Sequence, residues 1–356
     1  MTQRVRLKDV ADSLGLSVNT VSRALAGKAE VSPVTRQRIQ DEADRLGYVP
    51  NTLARSLVLG SNQTLALVIT NPSNPLYAEL ISGVEVRARQ HGYSLLLLVT
   101  DESTENERAA VEALLRAAVD GAIAVPVQSE HEHWRRVNRA GIPLVLVNRD
   151  IPDLDTDFVG VDNGRGAYDA TRHVIAQGAR TVWALEEDLP ITTIAERIDG
   201  FHRAMDEGGL PSAARDVVPV PTRRYESSAL PWQAEGAYTL CRELIAERGA
   251  PDAVITGNDY FALGLMRALA ELGHRVPDDV LVTGYGDHPY AGFVRPSLSS
   301  VRLPGSQIGA AAVDLLLARG EEPTDEPVKR RIAPTFVARD STARGALAPD
   351  TTATDA

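Results

Sequence analysis

Residues 7–25 read LKDVADSLGLSVNTVSRAL. Leu7, Val10, Ala11 and Leu14 share one face at helical spacing, Gly15 interrupts them, and Leu16, Val21 and Leu25 resume the pattern. Gly15 admits the positive φ that a turn between crossed helices needs. Ser17 can cap the second helix by accepting a hydrogen bond from a backbone N–H near Thr20. Ala11 is small where two helices must approach, and Val21 faces it. The spacing predicts helix, tight turn, helix. A third helix is expected over about 32–46, opened by Ser32-Pro33 and ended near Gly47. The second helix exposes Val18, Asn19, Ser22 and Arg23 near its first turns, where they can meet base edges and phosphates in a major groove. Thr20, Ser22 and the capping Ser17 suit phosphate oxygens. The same spacing also fits a generic three-helix bundle.

Charge sharpens the choice. The 356-residue chain carries a formal charge of −11, which taken whole argues against a polyanionic partner. Residues 1–60, however, hold nine basic and six acidic side chains, so the head is +3 and the remainder −14. Such asymmetry fits a nucleic-acid-binding end on an acidic body, although a few charges are also within chance fluctuation. A composition of 44% hydrophobic and 24% charged residues excludes disorder and fibrous repeats for most of the chain. The single cysteine, Cys241, excludes an internal disulfide and a cysteine zinc cluster, and fits a reducing cytoplasm. No apolar run reaches the ~18–20 residues that span a bilayer. The basic start leads into an amphipathic pattern instead of an apolar signal core, so a cytoplasmic protein without membrane partners is expected.

After Pro50, Asn51-Thr52-Leu53-Ala54-Arg55-Ser56-Leu57-Val58-Leu59-Gly60 is a short helical pattern ended by glycine. Isolated helices need roughly 12–15 residues, so this segment should fray until something packs on it. On its own, Leu57 suits an ordinary linker or domain-packing contact.

From Thr64 onward, short apolar runs alternate with amphipathic helices: 65–69, 94–99, 122–125, 143–147, 182–185, 253–256 and 280–283. Continuous hydrophobicity indicates strands buried on both faces of a parallel sheet. Two doubly wound α/β lobes are the economical architecture, with about three crossings of the chain between them. The first lobe is expected over about 63–162 plus 304–330, and the second over about 163–303 plus 331–343. The tail 344–356 has a disorder-like composition and no leucine heptad, so a tetramer built on a C-terminal coiled coil is not expected.

Leu7-Lys8-Asp9-Val10-Ala11, Gly15-Leu16-Ser17, Thr20-Val21-Ser22-Arg23-Ala24-Leu25, Val31-Ser32, Thr35-Arg36 and Gly47-Tyr48-Val49-Pro50-Asn51 resemble the head of the lactose-repressor (LacI/GalR) family of bacterial transcription regulators. The match runs almost without gaps for about 60 residues, and the family pattern extends to about Ala343. The resemblance implies a helix-turn-helix head at 1–50, a hinge helix and linker at 51–62, and a periplasmic-binding-protein-like core at 63–343. It implies a homodimer on near-palindromic double-stranded operator DNA, with a small-molecule effector between the lobes. It further implies Leu57 as the minor-groove wedge, with Asn51, Ala54 and Arg55 as groove or phosphate contacts.

Effector candidates lie where strands end. Asn74 and Tyr77 follow the first strand in a proline-stiffened loop, Asn148 and Arg149 end another, and Asp162 stands at a crossover. By resemblance, Arg197 in Glu196-Arg197-Ile198-Asp199-Gly200-Phe201 contacts the effector. Asn258 in Gly257-Asn258-Asp259 offers a donor and an acceptor, and Asp259 either caps the next helix or joins the site. Three departures from the family pattern stand out. Gly284-Tyr285-Gly286-Asp287 has glycine where the first acid is usual, so either Asp287 supplies an acid from a shifted position or the pocket lacks it. Leu303 replaces a common glutamine. The stacking aromatic is displaced by one residue to Trp232. Aromatic stacking with Asn, Asp and Arg side chains makes a carbohydrate the leading effector class.

An enzyme or a small-molecule-binding protein on the same fold, with a nucleoside or purine ligand, is the competing class. No Gly-x-Ser-x-Gly elbow, phosphate loop or Gly-x-Gly-x-x-Gly follows a strand. His131-Glu132-His133 is expected to be a solvated helix face, and Asp153, Asp155 and Asp157 an acidic surface turn that lacks the rest of a calcium loop. No metal, cofactor or catalytic residue is expected.

Overall fold

The structure is a computed structural model that describes residues 5–25, 30–48, 61–221, 234–321 and 326–344. The chain divides into a unit at Met1–Asn62 and a unit at Gln63–Ala356. In the first, α1 (Leu7–Leu14), α2 (Val18–Leu25) and α3 (Pro33–Leu46) pack around Val10, Ala11, Val21, Ala24, Ile39 and Ala43. Gly15 closes α1 in the left-handed region at φ 66°. Ser17 Oγ accepts from the Thr20 N–H at 3.1 Å and caps α2. Ser32 Oγ accepts from the Thr35 N–H at 3.2 Å, with Pro33 at the first position of α3. The Ser13 hydroxyl donates to Glu42, tying α1 to α3, and Glu42 receives both Nε and Nη2 of Arg45 at 2.7 Å.

The second unit holds two six-stranded sheets. One runs β11-β5-β4-β3-β1-β2, from β1 (Thr64–Ile69), β2 (Ser94–Val99), β3 (Gly121–Ala124), β4 (Leu144–Val147), β5 (Asp157–Val161) and β11 (Lys329–Ile332), with all pairings parallel. The other runs β12-β10-β9-β8-β6-β7, from β6 (Val182–Glu187), β7 (Arg215–Val220), β8 (Ala253–Thr256), β9 (Leu281–Gly286), β10 (Ser299–Arg302) and β12 (Thr335–Val337). Only its β12–β10 pairing is antiparallel. Helices α4 (Pro75–Gln90) and α11 (Gly305–Glu321) cover one face of the first sheet, and α5 (Thr104–Ala117) and α6 (Glu132–Arg139) the other. The second sheet is sandwiched likewise between α7 (Asn163–Ala176) with α8 (Thr192–Glu207) and α9 (Ala234–Arg248) with α10 (Asp259–Glu271).

The chain passes between lobes near 162–163, 303–304 and 333–334, and the Asp162 N–H donates to Ile332 O at 2.9 Å, joining two of these crossings. Gly200 of α8 lies against Gly164 O of α7, where a Cβ would overlap the carbonyl, so only glycine lets these helices approach so closely.

Two expectations are corrected here. Asp157 is no surface residue: it opens β5 with its carboxylate buried and accepts from Arg319 Nε and Nη2 and from the Val328 N–H, each at 2.7 Å. His133 is likewise buried, its Nε2 2.8 Å from Glu107 Oε2, because α6 turns that side inward against α5.

Candidate functional site

The carboxyl ends of β1, β4, β6, β8 and β9 surround a small cleft lined by side chains of both lobes. On the first lobe, Asn74 Oδ1 caps α4 through the Leu76 N–H at 3.0 Å, so its side chain is held at the cleft edge by the helix it begins. Tyr77 is buried one turn on, and its hydroxyl accepts from Asn148 Nδ2 at 3.3 Å. Asn148 sits in the left-handed region at φ 63°. Arg149 is buried and forked onto Glu102, Nη1 to Oε2 at 2.8 Å and Nη2 to Oε1 at 2.7 Å, while Nη1 also reaches Pro126 O at 3.2 Å.

On the second lobe, Arg197 projects from α8 and is fixed on two sides. Its Nε and Nη2 donate to the two oxygens of Glu186 at 2.8 and 2.5 Å, and its guanidinium carbon lies 5.0 Å from the Tyr285 ring centre. Tyr285 donates in turn to Asn163 Oδ1 at 3.0 Å. Burial opposes the Arg197 charge, but Glu186 more than offsets it and holds the guanidinium above its ordinary value. Burial raises Glu186 above the usual carboxylate range, and Arg197 pulls it back part of the way. Asn258 Oδ1 caps α10 through the Phe261 N–H at 2.9 Å. His288 forms a further wall. Burial lowers its imidazole from the ordinary value, against the opposing pull of the Asp259 carboxylate.

Of the effector candidates, Asn74, Tyr77, Asn148, Arg149, Arg197 and Asn258 line this one cleft. Asp162 does not: its carboxylate caps α7, accepting from the Arg165 N–H at 3.0 Å. Asp287 is also turned away, its buried carboxylate paired with Arg302 at 2.7 Å and Arg339 at 2.6 Å. Gly286 faces the cleft instead, and the His288 ring occupies the space that a side chain there would fill. No acid is therefore supplied at this place, and Leu303 lines the cleft as an apolar residue. Asp259 is not the cap of α10. It is buried and accepts from Ser300 Oγ at 2.6 Å and from the His288 N–H at 2.7 Å. Trp232 and the hinge residues Asn51, Ala54, Arg55 and Leu57 lie outside the described residues. Glu187, Tyr260, Tyr285 and His288 line the cleft without having been singled out. The acids ending the apolar run of β6 were the available signal for Glu187.

In the head, Ser17, Val18, Asn19, Ser22 and Arg23 are exposed along α2, and Thr20 is half-buried, its hydroxyl 2.8 Å from that of Ser17. Arg23 rests 3.3 Å from Glu30 in an exposed pair. The first turn of α2 thus offers its backbone dipole and a polar rim on one side. Among the described residues no helix is long and apolar enough to cross a membrane.

Residues 6–51 match the model of the bacterial regulatory proteins of the lacI family, and residues 171–342 match a periplasmic binding protein-like domain. The chain is 30% identical over 337 residues to the ribose operon repressor of Escherichia coli (strain K12), covering 94% of this chain and 99% of that protein. It belongs to the LacI family. The transcriptional repressor PurR of Pasteurella multocida (strain Pm70) is also 30% identical, over 94% of this chain and 98% of its own. Among solved structures, the Lac repressor bound to ONPG in the repressed state superposes with a TM-score of 0.81 at 25% identity, covering 95% of this chain and all of that one. A LacI-family regulator from Enterococcus faecium with bound ribose gives 0.67 at 26% identity, covering 79% and 98%. The LacI-family homologues are DNA-binding transcriptional repressors and not enzymes, and this chain is a transcriptional regulator of the same kind.

Proposed function

We propose that the protein represses transcription as a homodimer whose two heads read successive major-groove half-sites of a near-palindromic operator, and whose occupancy is set by a sugar or sugar derivative in the cleft. Arg197 carries the effector assignment. With Nε and Nη2 taken by Glu186 and its face by Tyr285, it keeps Nη1 as a donor of defined direction. Around it, Asn74 and Asn258 spend their carbonyl oxygens as helix caps and leave amide NH₂ groups to donate, while Glu187 brings an acceptor. Alternating fixed donors and acceptors suit a ligand with many hydroxyls. The ribose named for two similar proteins supports this class, and PurR among the relatives keeps a purine as the competitor. Ser17, Val18, Asn19, Thr20, Ser22 and Arg23 are assigned to the major groove, and Asn51, Ala54, Arg55 and Leu57 to the central minor groove. Coupling of only ~1–3 kcal/mol between cleft and head changes occupancy about 5–150-fold.

The test is a thermal-shift screen of mono- and disaccharides beside purine bases and nucleosides, on the parent and on Arg197→Ala. A sugar that stabilises the parent and not the variant supports the assignment, and stabilisation by purines alone replaces it. Operator selection from random duplexes checks the DNA side, with a two-fold symmetric consensus expected.

A further inference from the structure

We propose that Gln128 is a positioning residue for the cleft: a side chain of the first lobe that caps helix α8 of the second and so holds the lobes at the angle that presents Arg197. The inference rests on the cleft being the effector site. The residue before α8 is Ile191, which has no polar side chain to satisfy the N–H groups that every helix start leaves open. Gln128 takes that role from across the cleft. Its Oε1 accepts from the Thr192 N–H at 3.1 Å, and its Nε2 donates to Thr192 Oγ1 at 3.0 Å and to Asp150 O at 2.5 Å. One amide thus joins the two lobes through both of its ends. Thr193 and Ile194 of the turn so capped line the cleft, and Arg197 follows within the next turn.

Gln128 stands on a braced loop. Its backbone lies at φ 70°, a left-handed conformation that a side-chain-bearing residue holds where its surroundings impose it. The Val127 N–H donates to Glu107 Oε1 at 2.8 Å, and Glu107 is itself buried and held by His133. Arg149 of the cleft grips Pro126 O, and the Ser129 and Thr104 hydroxyls meet at 2.5 Å. The buried His133–Glu107 pair therefore has a use: it anchors the residue next to the one that reaches across.

The test needs no effector, so its failure is separate from failure of the sugar assignment. Exposed Glu105 on the first lobe and Ala213 on the second are changed to cysteine in the full chain and spin-labelled, and the distance between them is measured by pulsed electron resonance. Cys241 is buried, its thiol pushed up to about 12, and stays unlabelled. Gln128→Met keeps the length of the side chain and deletes both polar atoms, while Gln128→Glu keeps the acceptor for the Thr192 N–H. The methionine variant is expected to shift the closed-to-open ratio roughly tenfold towards the longer distance, the effect of one to two net hydrogen bonds, with most of it restored by glutamate. An unchanged distribution in Gln128→Met overturns the proposal, as does equal opening in both variants. A lower melting temperature without a change in distance assigns Gln128 to local folding alone and overturns it as well.

Discussion

Glu186→Gln removes the charge that pins Arg197 while keeping the shape of the side chain. Both partners are buried, at 6% and 9% exposure, so the change leaves a guanidinium with little solvent to replace its counter-ion. Deleting one member of a buried pair costs ~3–5 kcal/mol. Here the cleft admits water on one side, the Tyr285 face remains, and glutamine still accepts one hydrogen bond, so a loss of about 2–3 kcal/mol is expected. Arg197→Met should cost a similar amount by stranding Glu186. The double variant Glu186→Gln/Arg197→Met strands nothing, so it should be more stable than the summed single costs by at least ~1.5 kcal/mol. The pH dependence has a definite sign. Without Arg197, burial acts on Glu186 unopposed and raises its folded-state pKa further above the unfolded value. A raised carboxyl contributes stability below its unfolded pKa and loses it as pH rises through the folded one. The Arg197→Met penalty should therefore grow between about pH 5 and pH 8, by ~1.4 kcal/mol per unit of upward shift. Urea titration of the effector-free chain, followed by circular dichroism, measures all four corners. Additivity within ~0.5 kcal/mol together with a pH-independent penalty would refute the assignment of Arg197 to a charge pair that Glu186 fixes.

Ser17→Ala deletes the cap of α2 and should cost the head ~1 kcal/mol, read as faster amide exchange at Val21 and Ala24, with weaker operator binding. Gly200→Ala drives a Cβ into Gly164 O and must push α8 away from α7, lowering stability by ~1–3 kcal/mol and effector affinity with it; an unchanged melting curve would contradict the close approach. Arg45 and Ser13 hold the Glu42 carboxyl down to about 2, below its unfolded value. That contribution is present above the unfolded carboxylate range and is lost as the pH falls towards 2. Glu42→Gln should therefore flatten the acid limb of head unfolding, measured by circular dichroism between about pH 5 and pH 2.

The head was legible because its turn and cap residues act locally: Gly15, Ser17, Ser32 and Gly47 do in the structure what their types and positions require. The seven inner or strongly apolar strands were also visible as runs. The five strands not anticipated lack that signal for physical reasons. β7, the charged β11 and the three-residue β12 are edge strands, β10 buries serines through hydrogen bonds, and β5 (DFVGV) has its apolar run opened by Asp157 and interrupted by Gly160. In the cleft, residues at strand ends and in the Arg197 motif were readable, whereas Asp162 and Asp287 were misassigned because sequence gives a side chain's position along the chain and not its direction. Asp162 is drawn to a helix start and Asp287 to two arginines from distant segments. Tyr285 and His288 owe their place at the cleft to β9 and the turn after it, which no spacing rule discloses.

The three passages of the chain between lobes also bear on what a bound ligand can transmit. Near 162–163, 303–304 and 333–334 the connections are short, and two of them are stitched together by the Asp162–Ile332 hydrogen bond. Two rigid plates joined by adjacent short straps behave like a book on its spine: sliding and twisting are suppressed, and the opening angle remains as the soft coordinate. A molecule of a few ångströms then has one variable to set, and whatever its chemistry, the message it sends is a single number.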